Sequence, residues 1–554
     1  MRMRPNRRNL RLAGPLALTI ALLLPTAISA QSVRQSGRSD RGMVSTGHPL
    51  ATEAGVRMLE MGGNAADAAV AAAFAIAIVE PTMNSIGGRN QILVRTPDGE
   101  FHGIDGTTQV PWDYDPVTAP QAAFGYEVIG IPGALAGLLK LHEEHGSLPL
   151  AQVMAPAIEY AKHGFRIMPG DAARQAGGAA QALQFPGTAD AYYNPDGSPH
   201  RPGDILVQPD YAATLEKIVL GGRDAFYRGQ IAEAMVADFE AHGGTVNLED
   251  LGQYVAEDSR IVRGSYRGYD LIGMDVPAAG VLSIQALQIM ENFDPNSMSE
   301  AEWFAVTAQA LRIPRRELAV LGSDTAAARA TSKEWAATMA REIAAPGQSP
   351  AGSGSPLPPL PPRDDLMGHT THLSAADANG MFVSLTQTLG PNMGSKVVTP
   401  GLGFLYASTL GGYLGPMTEP GFRARSNICP FMVVKDGEVV LVLGAAGGGM
   451  IPPAVVHAIT RVIDFGMSLP EALAEPRVAG GRGDAFNAET SPDIGWTDDE
   501  LAEMRALGIE IDATERSGAF GRVHGIQFDP DTRTWIGAAD PDWEGSARGP
   551  SRNR

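Results

Sequence analysis

The chain has 554 residues, of which 44% are hydrophobic and 19% are charged, and its formal net charge is −19. This composition is too apolar and too weakly charged for a disordered chain, and the length is sufficient for a large core. With 65 glycines and 41 prolines, it is typical of a loop-rich α/β globule. The acidity argues against general affinity for nucleic-acid phosphates or anionic membranes, so we expect no nucleic-acid partner.

The first 30 residues differ from the rest. They contain five arginines and no acid, an uncharged stretch from Leu12 to Leu24, and a small-residue end at Ala30. These are the three parts of a secretory signal peptide, and the apolar run is too short for a stable membrane span. We therefore predict a 1–30 signal peptide and a protein that is periplasmic or secreted in a bacterium, with a net charge of −24 after removal of the leader. Arg7-Arg8 also fits the twin-arginine export route.

The first half of the chain reads as helices with occasional short strands. Predicted helices cover Gly55–Met61, Asn64–Glu80, Gly133–His145 and Leu150–His163, and predicted strands cover Gln91–Arg95 and Tyr269–Met274. The second helix is so rich in alanine that its neighbours must pack closely against it.

A Pro/Ser/Gly-rich linker, residues 345–367, separates this half from a part rich in strands. Predicted strands there are Thr370–Ala376, Met381–Thr388, Phe431–Lys435 and Glu438–Leu443. Asn379-Gly380 and Asp436-Gly437 are hairpin turn signals between them. The single cysteine, Cys429, has apolar neighbours and is expected to be a buried hydrophobe.

A glycine-rich loop, Gly444–Gly449, lies between a strand and a helix that opens near Pro452. Exposed backbone N–H groups in such a loop can hold an anion, either a dinucleotide phosphate or a reaction oxyanion. A dinucleotide site also needs an acid at the end of the next strand, but Asp464 falls in a helical pattern. The sequence lacks the serine-elbow and His-Glu-x-x-His motifs, and we expect no metal or cofactor.

The order of many weak motifs resembles the γ-glutamyltransferase family of N-terminal-nucleophile hydrolases. The matching segments are His48–Ala51, Gly62–Ala71, Ile86–Gly88, Pro132-Gly133, Pro156-Ala157, Asp224–Gly229, Thr370–His372, the loop around Gly447-Gly448 and Ala472–Arg477. Each is weak alone, but together they span nearly all of the mature chain. The resemblance implies an α+β fold, a four-layer αββα sandwich, and a small-molecule amide as substrate.

The resemblance also implies a self-processing enzyme. The precursor would be cut between His369 and Thr370 into a large subunit, 31–369, and a small subunit, 370–554, which together form one folded domain. Thr370 would then act as nucleophile and, through its α-amine, as base. By the family pattern Thr388 would orient Thr370, and the backbone N–H groups of Gly447 and Gly448 would bind the oxyanion.

The acyl-binding residues of the family are mostly absent. The family's arginine falls on Thr107 and its asparagine on Gly390, while its Asn-Asn-Gln and acidic cluster falls on 407–412. Its serine pair falls on Ser426 and Asn427, and Arg89 stands where the family usually has glycine. We therefore expect an altered acyl pocket, in which Ser426, Asn427 and Arg89 are candidate substrate-binding residues.

Three interpretations stay open at this stage. Arg89, Arg423 or Arg425 could hold a carboxylate in place of the missing arginine, and a γ-glutamyl group would still be the substrate. The enzyme could instead be an acylase of another amide, of the glutaryl-cephalosporin or oxamate type. A catalytically dead exported binding protein is the third reading, which predicts no self-cleavage or no amide hydrolysis.

Overall fold

A computed structural model describes residues 35–315, 323–343, 369–413, 419–480, 485–490, 495–515, 520–541 and 543–551. The predicted leader, 1–30, and the predicted linker, 345–367, lie outside these ranges. Among the described residues, no helix combines the length and hydropathy that crossing a bilayer requires.

Most of the helices in the described ranges lie before residue 341, and three follow residue 450. They are α1 (Pro49–Glu60), α2 (Ala65–Val79), α3 (Ala134–His145), α4 (Leu150–His163), α5 (Pro169–Ala182), α6 (Pro186–Tyr192), α7 (Pro209–Tyr227), α8 (Gln230–Ala241), α9 (Leu248–Gln253), α10 (Gly280–Met290), α11 (Glu300–Arg312), α12 (Asp324–Ala330), α13 (Lys333–Ala340), α14 (Ile451–Phe465), α15 (Leu469–Ala474) and α16 (Asp498–Ala506).

The strands form two large sheets and two small ones. They are β1 (Ser36–Ser39), β2 (Gly42–Thr46), β3 (Arg89–Arg95), β4 (Phe101–Gly106), β5 (Phe165–Arg166), β6 (Ile205–Leu206), β7 (Glu257–Asp258), β8 (Ile261–Tyr266), β9 (Tyr269–Met274), β10 (His369–Asp377), β11 (Phe382–Gly390), β12 (Phe431–Lys435), β13 (Glu438–Ala446), β14 (Val478–Gly480), β15 (Phe486–Glu489), β16 (Ile511–Thr514), β17 (Arg522–Asp529), β18 (Thr534–Ala539) and β19 (Ser546–Arg548).

Two seven-stranded antiparallel sheets stack face to face. The first has the order β19-β2-β10-β11-β3-β4-β7, and the second has the order β1-β18-β17-β13-β12-β9-β8. Strands β10 and β11 of the first sheet pack on β13 and β17 of the second. Helices α1, α2 and α3 cover the outer face of the first sheet, and α10, α14 and α15 cover that of the second. The predicted four-layer αββα sandwich is confirmed.

Helix α2 shows why its alanines recur. All 15 of its residues are buried, because it lies between the first sheet and helices α1, α3 and α4. Small side chains allow this close approach on every face, whereas larger ones would hold the layers apart. Its start is fixed by a capping box, in which Asn64 and Asp67 each accept a hydrogen bond from the other's backbone N–H group.

The predicted elements are confirmed, with shifted ends. Helix α1 begins six residues earlier than predicted, at Pro49, because the His48 imidazole accepts a hydrogen bond from the Leu50 amide at 3.1 Å. Histidine is not a usual cap residue, so the sequence signal was weak. Strand β13 continues three residues past the predicted Leu443. Both hairpins form, and at the second turn Asp436 and Gly437 have positive φ angles of 52° and 85°.

Candidate active site

Thr370 and Thr388 face each other across β10 and β11. They form a register pair, but the next pair along joins His369 to Gly390, so Leu389 is an extra residue in β11. Such a bulge re-aims the side chains beside it. Both threonines are only 3% exposed.

The hydroxyl of Thr388 connects Thr370 to the peptide bond that precedes it. Thr370 Oγ1 donates to Thr388 Oγ1 at 3.0 Å, and Thr388 Oγ1 donates to the carbonyl oxygen of His369 at 2.7 Å. The Gly390 amide also donates to Thr388 Oγ1, at 2.9 Å. A hydroxyl can donate one hydrogen bond and accept two, so the hydrogen-bonding capacity of Thr388 Oγ1 is filled.

A row of polar pairs continues from Thr370 along the interface between the sheets. His372 Nδ1 lies 2.7 Å from Thr386 Oγ1, and His372 Nε2 lies 3.1 Å from the hydroxyl of Ser374. The Ser374 hydroxyl donates to the carbonyl of Val442 on β13 at 3.4 Å. Burial, followed by the nearby His524, holds the pKa of His372 well below its ordinary value, so its ring is neutral.

The glycine turn follows strand β13, which runs beside β10. Val442 is opposite Ser374, and at Gly444 an added Cβ would lie 2.4 Å from the His372 ring. Strand β13 therefore advances beside β10 towards Thr370, and its end passes into Gly447 and Gly448. These glycines have φ angles of 132° and 57°, a conformation that L-residues rarely adopt.

Three cationic groups act on the His369 imidazole. Burial is the main reason that the pKa of His369 lies well below its ordinary value, and the charges of Arg174, Arg522 and Lys396 add to the effect. Arg174 and Arg522 both stack on the Trp543 ring, 4.7 and 3.7 Å from its centroid. The residue that precedes Thr370 is thus influenced by several positive charges.

Sequence reasoning missed Lys396 as part of this site. Its side chain is 4% exposed, and burial lowers its pKa to about 8. A signal was available, because Lys396 is the sole charged residue between Phe382 and Thr418. An isolated lysine in a long uncharged segment with many buried positions calls for an explanation.

Arg89 lies directly beside the threonine pair. It is the register partner of Thr388 on β3 and is completely buried. Its guanidinium donates to the Tyr413 hydroxyl at 2.8 Å and to Thr108 Oγ1 at 3.5 Å, and it stands 5.0 Å from the centroid of the Tyr413 ring. Tyr413 is a second site residue that sequence reasoning missed.

Arg423 and Ser426 have structural partners of their own. Arg423 pairs with Asp105 at 3.6 Å and with Glu257 at 3.1 Å, and its guanidinium also donates to two backbone carbonyls. Ser426 accepts from the Ile428 amide at 3.0 Å, which closes its own turn. Asn427 is half-buried in the same turn, as are Ser426 and Arg425. At the position of the family's arginine, Thr107 accepts from Gln91 at 2.7 Å.

The comparisons with known proteins agree with this geometry. A family profile described as gamma-glutamyltranspeptidase matches residues 51–549. The chain belongs to the gamma-glutamyltranspeptidase family. It is therefore an enzyme, an amide hydrolase or acyltransferase of the N-terminal-nucleophile class.

Relatives in the gamma-glutamyltranspeptidase family carry two kinds of name. The chain is similar to Acylase ACY 1 proenzyme from Pseudomonas sp. strain V22, with 34% identity over 91% of this chain and 93% of the relative. It is 29% identical to the glutathione hydrolase proenzyme of Escherichia coli K12, over 91% of each chain. Among solved structures, a cephalosporin acylase from Bacillus halodurans superposes with a TM-score of 0.84 at 26% identity, covering 96% of this chain and 100% of that one.

Proposed function

We propose that this chain is a precursor that cuts itself between His369 and Thr370. The new N-terminal threonine then hydrolyses a small-molecule amide or transfers its acyl group to an amine. Names of relatives that include "proenzyme" support processing of one precursor. The large subunit would comprise 31–369 and the small subunit 370–554, after export to the periplasm or beyond and removal of the 1–30 leader.

The hydrogen bond from Thr388 to the His369 carbonyl carries this proposal. It draws electron density from the carbonyl carbon that Thr370 Oγ1 must attack, and it holds that carbonyl next to the nucleophile. The 3.0 Å contact between the two hydroxyls fixes the position of Thr370 Oγ1. Both groups are buried, so water competes little for these bonds.

The cut proceeds as an acyl shift from nitrogen to oxygen. Thr370 Oγ1 bonds to the His369 carbonyl carbon, its proton moves to the departing Thr370 nitrogen, and the peptide C–N bond breaks. Water then hydrolyses the ester, which leaves a carboxylate on His369 and a free amine on Thr370.

In turnover the free α-amine of Thr370 acts as base. Its reference pKa of about 7.7–8.0 allows it to take the hydroxyl proton near neutral pH and return it to the leaving amine. The acyl-enzyme is then resolved by water or by an acceptor amine. The backbone N–H groups of Gly447 and Gly448 would stabilise the tetrahedral oxyanion, and the loss of one such donor typically costs about 100- to 1,000-fold in rate.

Two positions in the chain bear on which acyl group the enzyme accepts. The position of the family's arginine is occupied by Thr107, whose hydroxyl is bonded to Gln91, and Gly390 has no side chain to offer. These losses favour an acylase of a non-γ-glutamyl amide over a glutathione hydrolase. The acylase relative and the cephalosporin acylase neighbour support the same choice.

Replacement of the nucleophile tests the proposal. The Thr370→Ala variant should remain one uncut chain without amidase activity, because it lacks the attacking hydroxyl. Wild type and Thr370→Ser should each give two bands on a denaturing gel, and N-terminal sequencing of the smaller band should begin at residue 370. Thr214→Ala is the matched control, since it removes a buried threonine hydroxyl on α7 that donates to the Leu402 carbonyl. Two bands from Thr370→Ala would reject the assignment, and a wild type that is uncut or inactive on every amide would indicate a binding protein.

A further inference from the structure

A buried arginine without an acidic partner lies beside the proposed nucleophile. Arg89 is completely buried, and its hydrogen-bond partners, Tyr413 and Thr108, both offer neutral hydroxyls. Arg477, an equally buried arginine, pairs with Asp540 at 2.6 Å. No carboxylate within the described ranges forms an ion pair with Arg89, and its Nε atom has no hydrogen-bond acceptor.

A buried guanidinium destabilises the folded state unless an anion pairs with it. An arginine side chain does not deprotonate in proteins, so burial cannot be relieved by loss of the proton. A buried charge that is not paired opposes folding, and neutral hydroxyls compensate for it only in part. No acid among the described residues pairs with Arg89, so a bound anion would complete the site.

Gly390 leaves space for the Arg89 side chain. At Gly390 an added Cβ would lie 2.9 Å from the Arg89 guanidinium and 3.1 Å from the Tyr413 ring. Gly390 also has a φ of 89°, which a side chain would strain further. Glycine at position 390 thus leaves room for the guanidinium and the phenol, both next to Thr388.

The acid on the strand next to β3 is already paired. Asp105, the acid on the neighbouring strand β4, is bonded to Gln91 at 2.6 Å and to the Thr107 amide at 2.8 Å, and it pairs with Arg423. The segment that follows Tyr413, 414–418, contains no acidic residue in its sequence. A substrate with an α-ammonium group would therefore find this acid already occupied.

We propose that Arg89 and Tyr413 bind the terminal carboxylate of the acyl group, so that the substrates are monoamides of dicarboxylic acids without an α-amino group. This inference rests on the proposed function, because it places the carboxylate in the acyl pocket of Thr370. The planar guanidinium presents paired donors that match a carboxylate, and the phenol hydroxyl can add a third hydrogen bond.

Matched p-nitroanilides test the inference. Succinyl- and glutaryl-p-nitroanilide carry the carboxylate, valeryl-p-nitroanilide lacks it, and γ-glutamyl-p-nitroanilide adds the α-amine. Wild type should hydrolyse the better of the two dicarboxylic substrates with a kcat/KM at least about 10-fold above that for the valeryl and γ-glutamyl compounds. Arg89→Gln should lose about 10- to 100-fold on the dicarboxylic substrate and less than about 3-fold on the valeryl compound. On the dicarboxylic substrate, the kcat/KM of Arg89→Lys should lie between those of wild type and Arg89→Gln.

Two further measurements keep the test decisive. Tyr413→Phe removes one hydroxyl and should cost about 3- to 10-fold on the dicarboxylic substrates alone. Should Arg89→Gln fail to fold or to cut itself, free glutarate should still inhibit wild type competitively and pentanoate should not. Equal turnover of glutaryl and valeryl compounds by wild type, or equal losses on both in the variants, would overturn the inference while leaving the amidase intact. If wild type neither cuts itself nor hydrolyses any anilide, the proposed function fails as well.

Discussion

At the scale of single residues, Lys396 shows what burial does to a positive charge. Burial is the whole reason that its pKa falls to about 8, and no acid contributes to the shift. A protonated Lys396 is therefore an unfavourable feature of the folded precursor at neutral pH.

The pH dependence of stability follows from the direction of that shift. The pKa of Lys396 is lower in the folded chain than in the unfolded chain, where it is about 10.4. Below pH 8 both states are protonated, and the full penalty, about 3 kcal/mol, opposes folding. Between pH 8 and about 10.4 the unfolded state holds more protons, so the penalty disappears as pH rises.

Lys396→Met should accordingly be more stable than its parent at pH 7, and the difference should shrink as pH rises to 10. Urea unfolding in the uncut Thr370→Ala background measures this, because both chains are then single. Lys217→Met, which removes an exposed lysine from α7, controls for the loss of one positive charge. A stability difference that is the same at pH 7 and pH 10 would contradict the burial argument.

At the scale of elements, the packing of α1 against α2 depends on a close approach of the two helices at Gly55. In α1, an added Cβ at Gly55 would lie 2.9 Å from the Ala68 carbonyl oxygen of α2 and 2.9 Å from Val44 on β2. The carbonyl is backbone and cannot rotate away. Glycine thus allows α1 to contact a helix and a strand at the same time.

The same substitution should have opposite signs in two helices. Gly55→Ala should destabilise the fold by about 1–3 kcal/mol, because the overpacking exceeds the gain in helix propensity. Gly177→Ala, in α5, meets no atom within 4 Å and should stabilise by about 0.5–1 kcal/mol. Urea unfolding of both variants in the uncut background gives the comparison. A stabilising Gly55→Ala would show that the layers can separate at little cost.

At the scale of the whole molecule, both large sheets mix strands from the two sides of residue 370. In the first sheet β10 and β11 lie between β2 and β3, and in the second sheet β1 and β9 flank the block from β18 to β12. Five strand-to-strand ladders join segments before residue 370 to segments after it. Neither segment keeps a complete sheet without the other.

We therefore expect the two subunits to remain together after the cut. They should elute as one species in native size-exclusion chromatography and separate only in denaturant, where gels show two bands. The uncut Thr370→Ala chain provides the reference elution volume. Recovery of a free, folded small subunit under native conditions would contradict the interleaved arrangement.

Much of this protein was determined by short-range sequence patterns. The alanines of α2, the turns at Asn379-Gly380 and Asp436-Gly437, and the position of Thr370 at a strand start were all predicted correctly. The reason is that turn chemistry and hydrophobic spacing act between neighbours in the chain. The ends of elements were less accurate where a weak signal such as the His48 cap decided them.

The acyl pocket was decided only by the tertiary structure. The sequence marked Arg89 and Gly390 as departures from a family pattern, but nothing local shows that the guanidinium fills the space beside that glycine, or that Tyr413 joins it. These residues lie about 300 positions apart, and the pairing of β3 with β11 brings Arg89 beside Gly390, where the guanidinium also reaches Tyr413. Burial and the absence of an acidic partner belong to the assembled site, because both depend on what every neighbouring strand contributes.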